Sequence, residues 1–184
     1  MSQDPAPAAR HNLFFALSPD AVTRNAIAAS AEALRGEHGD IGRWLRPPRY
    51  HLTLQFLGAH ATLPVDFVQR AVAAAGGVQA APFSLALDLV GSFGARHMPV
   101  WIGCAELPRG LRDLHHALEA ALRRNGIAPE HPARFVPHVT ILQDATRALH
   151  RPLDPPIAWR VDEFALIDSE PPSPYRVVGR WPLA

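Results

Sequence analysis

Apolar positions fall along this chain in short blocks, and their spacing predicts most of its elements. Asn12-Leu13-Phe14-Phe15-Ala16-Leu17 is short and apolar enough for a central strand. Ser18-Pro19-Asp20 then reads as a helix start: a capping hydroxyl, proline at the first helical position and an acid in the first turn. The helix is expected to carry Val22, Ile27 and Leu34 and to stop near Gly36. A loop to Arg49 follows, and Pro47-Pro48 forces an extended entry into a strand from His51 to Leu57, which Gly58 ends.

Pro64 opens a second helix with Val65, Val68 and Val72 at helical spacing, closed by Gly76-Gly77. Strands are predicted near Phe83 to Val90 and Val100 to Cys104. The clearest helix presents Leu111, Leu114, Leu118, Ala121 and Leu122 as one stripe and ends at Gly126. A further strand runs from His138 to Leu142, and two late strands run from about Trp159 to Ile167 and from Tyr175 to Trp181. Each half of the chain thus leads a helix toward a strand that begins with histidine. This order suggests a quasi-duplicated α+β protein with two sheet-and-helix lobes facing each other. Residues 11–184 read as one two-lobed domain, and residues 1–10, rich in Pro and Ala, as a loose leader.

Composition narrows the classes. With 48% apolar and 19% charged residues the chain is a folder, and no run of eighteen apolar residues predicts a membrane span. The first residues lack the charged and apolar regions of a secretory signal. The single cysteine, Cys104, allows no internal disulfide, so a cytoplasmic home is the simplest expectation, with a packing role for the thiol. Net charge is +1, giving no global pull toward nucleic acid, and every basic residue is arginine. A local cluster, Arg43, Arg46 and Arg49 with Trp44, could contact phosphates and stack a base, or could be a solvated loop.

The candidate chemistry lies in the strands His51-Leu52-Thr53-Leu54 and His138-Val139-Thr140-Ile141. Side chains alternate between the two faces of a strand. His51 and Thr53 therefore share one face and His138 and Thr140 another, each over an apolar back. Chance alone gives roughly 0.3 His-x-Thr matches in a chain of this composition, so the doubled motif carries information. Two imidazoles at one cleft could supply a general base and a general acid, and two hydroxyls could donate to an anionic oxygen. His115-His116 on a helix point about 100° apart, and with no ligand at helical spacing a zinc site is not expected. His97 and His131 lie in predicted loops that could approach the cleft.

The stretches HLTLQFLG and FVPHVTIL resemble the paired signatures of the two-histidine (2H) phosphoesterases. The closer resemblance is to the RNA 2′,3′-cyclic phosphodiesterases, historically called 2′–5′ RNA ligases. LFFAL, PVWIG, RGLRDLHHAL and the closing FALIDS, Tyr175 and RWPL fit the same pattern, so the resemblance covers nearly the whole chain. It implies a bilobal α+β fold of two antiparallel-rich sheets with helices packed outside, in a pseudo-twofold arrangement around a central cleft. It also implies a monomeric hydrolase without metal or cofactor, acting on RNA or an oligonucleotide that ends in a 2′,3′-cyclic phosphate. By that resemblance His51 protonates the leaving 3′ oxygen, His138 activates water, and Thr53 and Thr140 hold the phosphate, giving a 2′-phosphate. Arg134, Arg49 and Tyr175 are further candidates for substrate contact. The chain departs from the pattern at Val136 and Gln143, where the family often carries basic residues, and Arg134, Arg96 or Arg147 could stand in. The rival readings are 2′–5′ ligation, hydrolysis of a small cyclic nucleotide or a 2′–5′ oligonucleotide, and an RNA-end binding module. Binding alone would need no proton-transfer pair.

Overall fold

The computed structural model describes residues 11–94, 98–129 and 135–184. The expected leader over residues 1–10 lies outside them, as do Arg96, His97, His131 and Arg134. The elements, in chain order, are β1 (His11–Leu17), α1 (Ala21–His38), β2 (Arg43–Trp44), a 3₁₀ turn (Pro47–Arg49), β3 (Leu52–His60) and α2 (Val65–Gly76). They continue with β4 (Phe83–Ser92), β5 (Val100–Gly103), α3 (Arg109–Arg124), β6 (His138–Gln143), β7 (Arg151–Val161), β8 (Glu163–Ser169) and β9 (Arg176–Pro182). Among the described residues no helix is long and apolar enough to cross a membrane.

The strands form one antiparallel network, ordered β7-β4-β5-β6-β3-β1-β8-β9, with β2 pairing to β6. The expectation of two sheets is corrected in one respect. The halves β7-β4-β5-β6 and β3-β1-β8-β9 are joined edge to edge by a single paired position, Leu52 opposite Val139. Both residues are fully buried, in a cluster that gathers Ile27 and Leu34 of α1, Ala71 and Ala74 of α2, and Leu111, Leu114 and Leu118 of α3. A second, smaller cluster of Phe14, Ala16, Ala165 and Ile167 is separate from it, with Phe56 and Tyr175 packed against it.

Helix ends and faces follow local chemistry. Asp20, rather than Ser18, caps α1, because its carboxylate reaches the Thr23 N–H at 2.7 Å, and its pKa is lowered by that bond. The buried face of α2 is Ala71, Ala74 and Ala75, while Val65 is 68% exposed. Asp66, Gln69 and Arg70 share the exposed side with Val65 and Val72, Val68 packs at the edge of the core, and small alanines let the helix approach α3 closely. The stripe of α3 is buried as its spacing predicted, and Gly126 takes φ +70°, the left-handed turn that ends the helix.

Two strands depart from the sequence reading. The late strand expected from Trp159 to Ile167 is two strands that break at Asp162. The first of them reaches back to Arg151 through Pro152, Pro155 and Pro156, which an edge strand tolerates because its outer N–H groups need no partner. Strand β2 is only two residues long and lies flat on β6, because a Cβ at Gly42 would stand 2.6 Å from the Gln143 carbonyl oxygen. The substitution Leu52→Ala at the joint is expected to lower unfolding stability by about 2–5 kcal/mol in urea denaturation. A change within about 0.5 kcal/mol would show that the joint is not a packed position.

Candidate active site

The β3–β6 joint sets the geometry of both motifs. Leu52, Leu54, Val139 and Ile141 all enter the main buried cluster, so the part-exposed His51, Thr53, His138 and Thr140 are turned away from it. Carrying the antiparallel register one residue either way from the Leu52–Val139 pair sets His51 across from Thr140 and Thr53 across from His138. The imidazoles are then diagonal neighbours, a relation that in a regular sheet spans about 7–8 Å. Their proximity is electrical as well, since the charge of His138 is among the influences that lower the His51 pKa.

Each histidine is held in the same way. The Nδ1 of His51 lies 2.9 Å from the Arg49 carbonyl oxygen, and the Nδ1 of His138 lies 2.7 Å from that of Val136. A carbonyl can only accept, so Nδ1 carries the proton of the neutral ring and Nε2 the lone pair. Neither Nε2 has a protein partner among the described residues, and neither belongs to the buried unpaired atoms, so both remain open to solvent. The departure at Val136 therefore leaves this bond intact, because it is the backbone that accepts.

Aromatic rings wall both imidazoles. Phe14 stacks on His51 at 4.8 Å, and Tyr175 stands edge-on at 5.3 Å with its hydroxyl 3.2 Å from Nδ1. Phe93 stands edge-on to His138 at 4.9 Å, with Trp101 beyond it at 5.9 Å. The indole of Trp101 fits only because a Cβ at Gly91, directly across the β4–β5 pair, would meet it at 2.3 Å. Although part of each histidine still reaches water, its ring lies among protein atoms, and desolvation is the main cause lowering both pKa values. For His51 the value falls to about 4, against an upward pull from the Arg49 carbonyl and further downward pushes from His138 and Arg49.

Among the described residues, several further sequence candidates have definite places. Arg49 donates to the carbonyls of Pro172 (3.2 Å) and Ser173 (2.7 Å) and lies over the Tyr175 ring at 4.6 Å. Arg43 donates to the Gln143 side chain across the β2–β6 pair. Arg147 is directed elsewhere, to His38 Nδ1 at the end of α1 (2.6 Å). The Cys104 thiol is buried, with its pKa pushed up to about 12 mainly by desolvation, which suits packing. Among the described residues no three His, Cys, Asp or Glu side chains gather as a metal ion would require.

His115 is a structural link instead. The Gln55 amide of β3 donates to its backbone carbonyl at 3.2 Å and meets its ring Nε2 at 3.2 Å, while Phe135 stacks on the ring at 4.1 Å. Through α3 this ties the first motif strand to the segment entering the second. Neither this link nor the aromatic walls were apparent from the sequence, because their members lie far apart in the chain and a register shift in the β1–β3 pair turns Gln55 inward.

With this arrangement in view, comparison with known proteins is decisive for kinship. The family model described as the 2′-5′ RNA ligase superfamily matches residues 23–171. The chain belongs to that superfamily. Within it, the RNA 2′,3′-cyclic phosphodiesterase of Escherichia coli (strain K12) is 32% identical over 178 residues, covering 93% of this chain and 96% of its own. The protein of the same name from Aquifex aeolicus (strain VF5) is 32% identical over 107 residues, 55% of this chain. Among solved structures, E. coli LigT in its apo form superposes with a TM-score of 0.79 at 29% identity, covering 96% of this chain and 99% of LigT. LigT complexed with 3′-AMP matches with the same TM-score, 0.79, at 30% identity. The superfamily member described here is thus an α+β enzyme of the phosphodiesterase kind.

The electrostatics of the site can be titrated. Unfolded His51 takes up a proton near 6.5 and folded His51 near 4, so between those values the unfolded chain binds more protons. Stability from this group is complete above 6.5 and is lost as pH falls toward 4. A ¹⁵N NMR titration is expected to place the His51 midpoint near 4, and a midpoint at the ordinary 6.5 would contradict the desolvated site.

Proposed function

We propose that this protein hydrolyses 2′,3′-cyclic phosphate ends of RNA to 2′-phosphomonoesters by acid–base catalysis between His51 and His138, without a metal. The observation carrying this reading is the doubled arrangement: two imidazoles at the starts of adjoining strands, each with Nδ1 tied to a carbonyl and Nε2 without a partner among the described residues. A proton donor and a proton acceptor on either side of one phosphorus atom are what opening a cyclic phosphodiester requires. The names of the curated relatives, RNA 2′,3′-cyclic phosphodiesterase, support the substrate, and the 3′-AMP complex of LigT supports a nucleoside phosphate in the site.

In this mechanism a water molecule attacks phosphorus in line with the 3′ oxygen. His138 Nε2 takes the water's proton as the new P–O bond forms. The P–O3′ bond breaks, and the 3′ alkoxide receives a proton from His51 Nε2. Thr53 and Thr140 donate to the non-bridging oxygens, whose charge grows in the transition state. In the free protein both imidazoles are held low mainly by desolvation, and His51 also by the charge of His138. A bound phosphate anion raises both imidazoles, and its leaving oxygen, lying beside His51, directs the proton there.

The test is turnover of an oligonucleotide ending in 2′,3′-cyclic phosphate in the presence of EDTA. Wild-type activity should persist, His51→Ala and His138→Ala should each lower kcat about 10²–10⁴-fold, and Thr53→Ala or Thr140→Ala about 10²-fold. Loss of activity in EDTA with recovery on added metal would overturn the metal-free reading. Full activity in both histidine variants would remove the site. A 3′-phosphate product would reverse the direction assigned to acid and base.

A further inference from the structure

The two histidines have matching backbone bonds and unmatched neighbours. His138 is walled by Phe93 and Trp101, and no side chain hydroxyl meets its Nδ1 among the described residues. His51 has the Tyr175 hydroxyl 3.2 Å from Nδ1. That Nδ1 already faces the Arg49 carbonyl oxygen at 2.9 Å, and two acceptors cannot share a bond without a proton between them and the ring. The N–H is therefore forked between the carbonyl and the phenol oxygen, and the phenol keeps its own proton to donate elsewhere. Burial is the main influence on Tyr175 and raises its pKa, so it stays a neutral O–H through the physiological range.

Tyr175 is itself held in place. It immediately precedes β9, and Phe14 meets its ring edge-on at 5.8 Å. Arg49 lies over the ring at 4.6 Å while binding the Pro172 and Ser173 carbonyls of the same loop. One residue thus supplies its carbonyl to His51 and its guanidinium to the tyrosine that touches the same imidazole.

We propose that Tyr175, clamped by Arg49, is a positioning residue for His51: it holds the ring that the Arg49 carbonyl has set in its Nδ1–H form so that Nε2 meets the substrate, and it makes this half of the site chemically distinct. The proposal deepens the functional reading above and rests on the acid role given there to His51. The charged and titratable groups facing the ring are Arg49 from the 3₁₀ turn, His138 from β6 and Tyr175 itself. A neutral oxygen that accepts from Nδ1–H favours the protonated ring, opposing desolvation and the two cations. Without it His51 loses its proton more readily. The alkaline limb of the rate profile, on which His51 must be protonated, then moves to lower pH.

Tyr175→Phe keeps the ring and removes only the oxygen. With the 2′,3′-cyclic-phosphate-ended oligonucleotide, kcat is expected to fall about tenfold with KM changed less than about twofold, and the alkaline limb to move acidward. The ¹⁵N ring shifts of His51 in the free protein should titrate at lower pH than in the wild type. Arg49→Gln, which keeps the carbonyl and loosens the clamp, should shift both readouts in the same direction by less. Unchanged kcat, pH profile and ring shifts in Tyr175→Phe would overturn the proposal, leaving Tyr175 as packing. A raised KM with unchanged kcat would overturn it in favour of direct substrate contact. Absence of turnover in the wild type would defeat the functional reading instead, and the His51 shifts would still decide whether the hydroxyl governs the ring.

Discussion

A single pair of opposed residues, Leu52 and Val139, carries the contact between the two halves of the sheet. Both side chains are fully buried, and strand alternation then leaves the flanking histidines and threonines no choice of face. A slip of one residue at this joint would drive two imidazoles into the core and expose its leucines. The cost of that exchange is what fixes the site, more than any bond within it. Gln55, His115 and Phe135 reinforce the joint from the helix side, so each motif strand is braced against α3 as well as against the other.

The same burial creates the electrostatic condition of the site. Aromatic rings displace water around both imidazoles, and desolvation lowers their pKa values, to about 4 for His51. Neither ring is charged at neutral pH when the site is empty. A phosphate anion reverses that balance, because the low dielectric that disfavours a lone cation strengthens its attraction to a neighbouring anion. The Nδ1–carbonyl bonds hold one tautomer, and in the mechanism we propose protons pass through Nε2. Two like halves would make acid and base interchangeable, whereas the Tyr175 hydroxyl gives the His51 half a feature that the His138 half lacks among the described residues.

Much of this was legible in the sequence wherever the information is local. The alternation around both His-x-Thr stretches set the faces, and the leucine stripe of α3 marked its buried side. Reading failed where burial or pairing is decided at a distance. Prolines concealed β7 because their tolerance depends on its being an edge. Valine spacing misled at Val65 and Val72 of α2, which are exposed while Val68 and the alanines pack. The arginines divided in ways that spacing could not show: Arg49 turned to the Tyr175 loop, Arg43 to Gln143 and Arg147 to His38. Phe14 and Trp101 lie in the stretches LFFAL and PVWIG and Phe93 in neither, but only the fold collects the three around the histidines.

We propose that His51 and His138 act on one phosphate as a unit. The most direct measurement is kcat/KM for the 2′,3′-cyclic-phosphate-ended oligonucleotide in His51→Ala, His138→Ala and the double variant. Residues that serve one transition state lose their effect together, so the double variant should be no slower than the worse single variant by more than a few-fold. Losses that multiply, each variant subtracting its full share from the other, would contradict the claim.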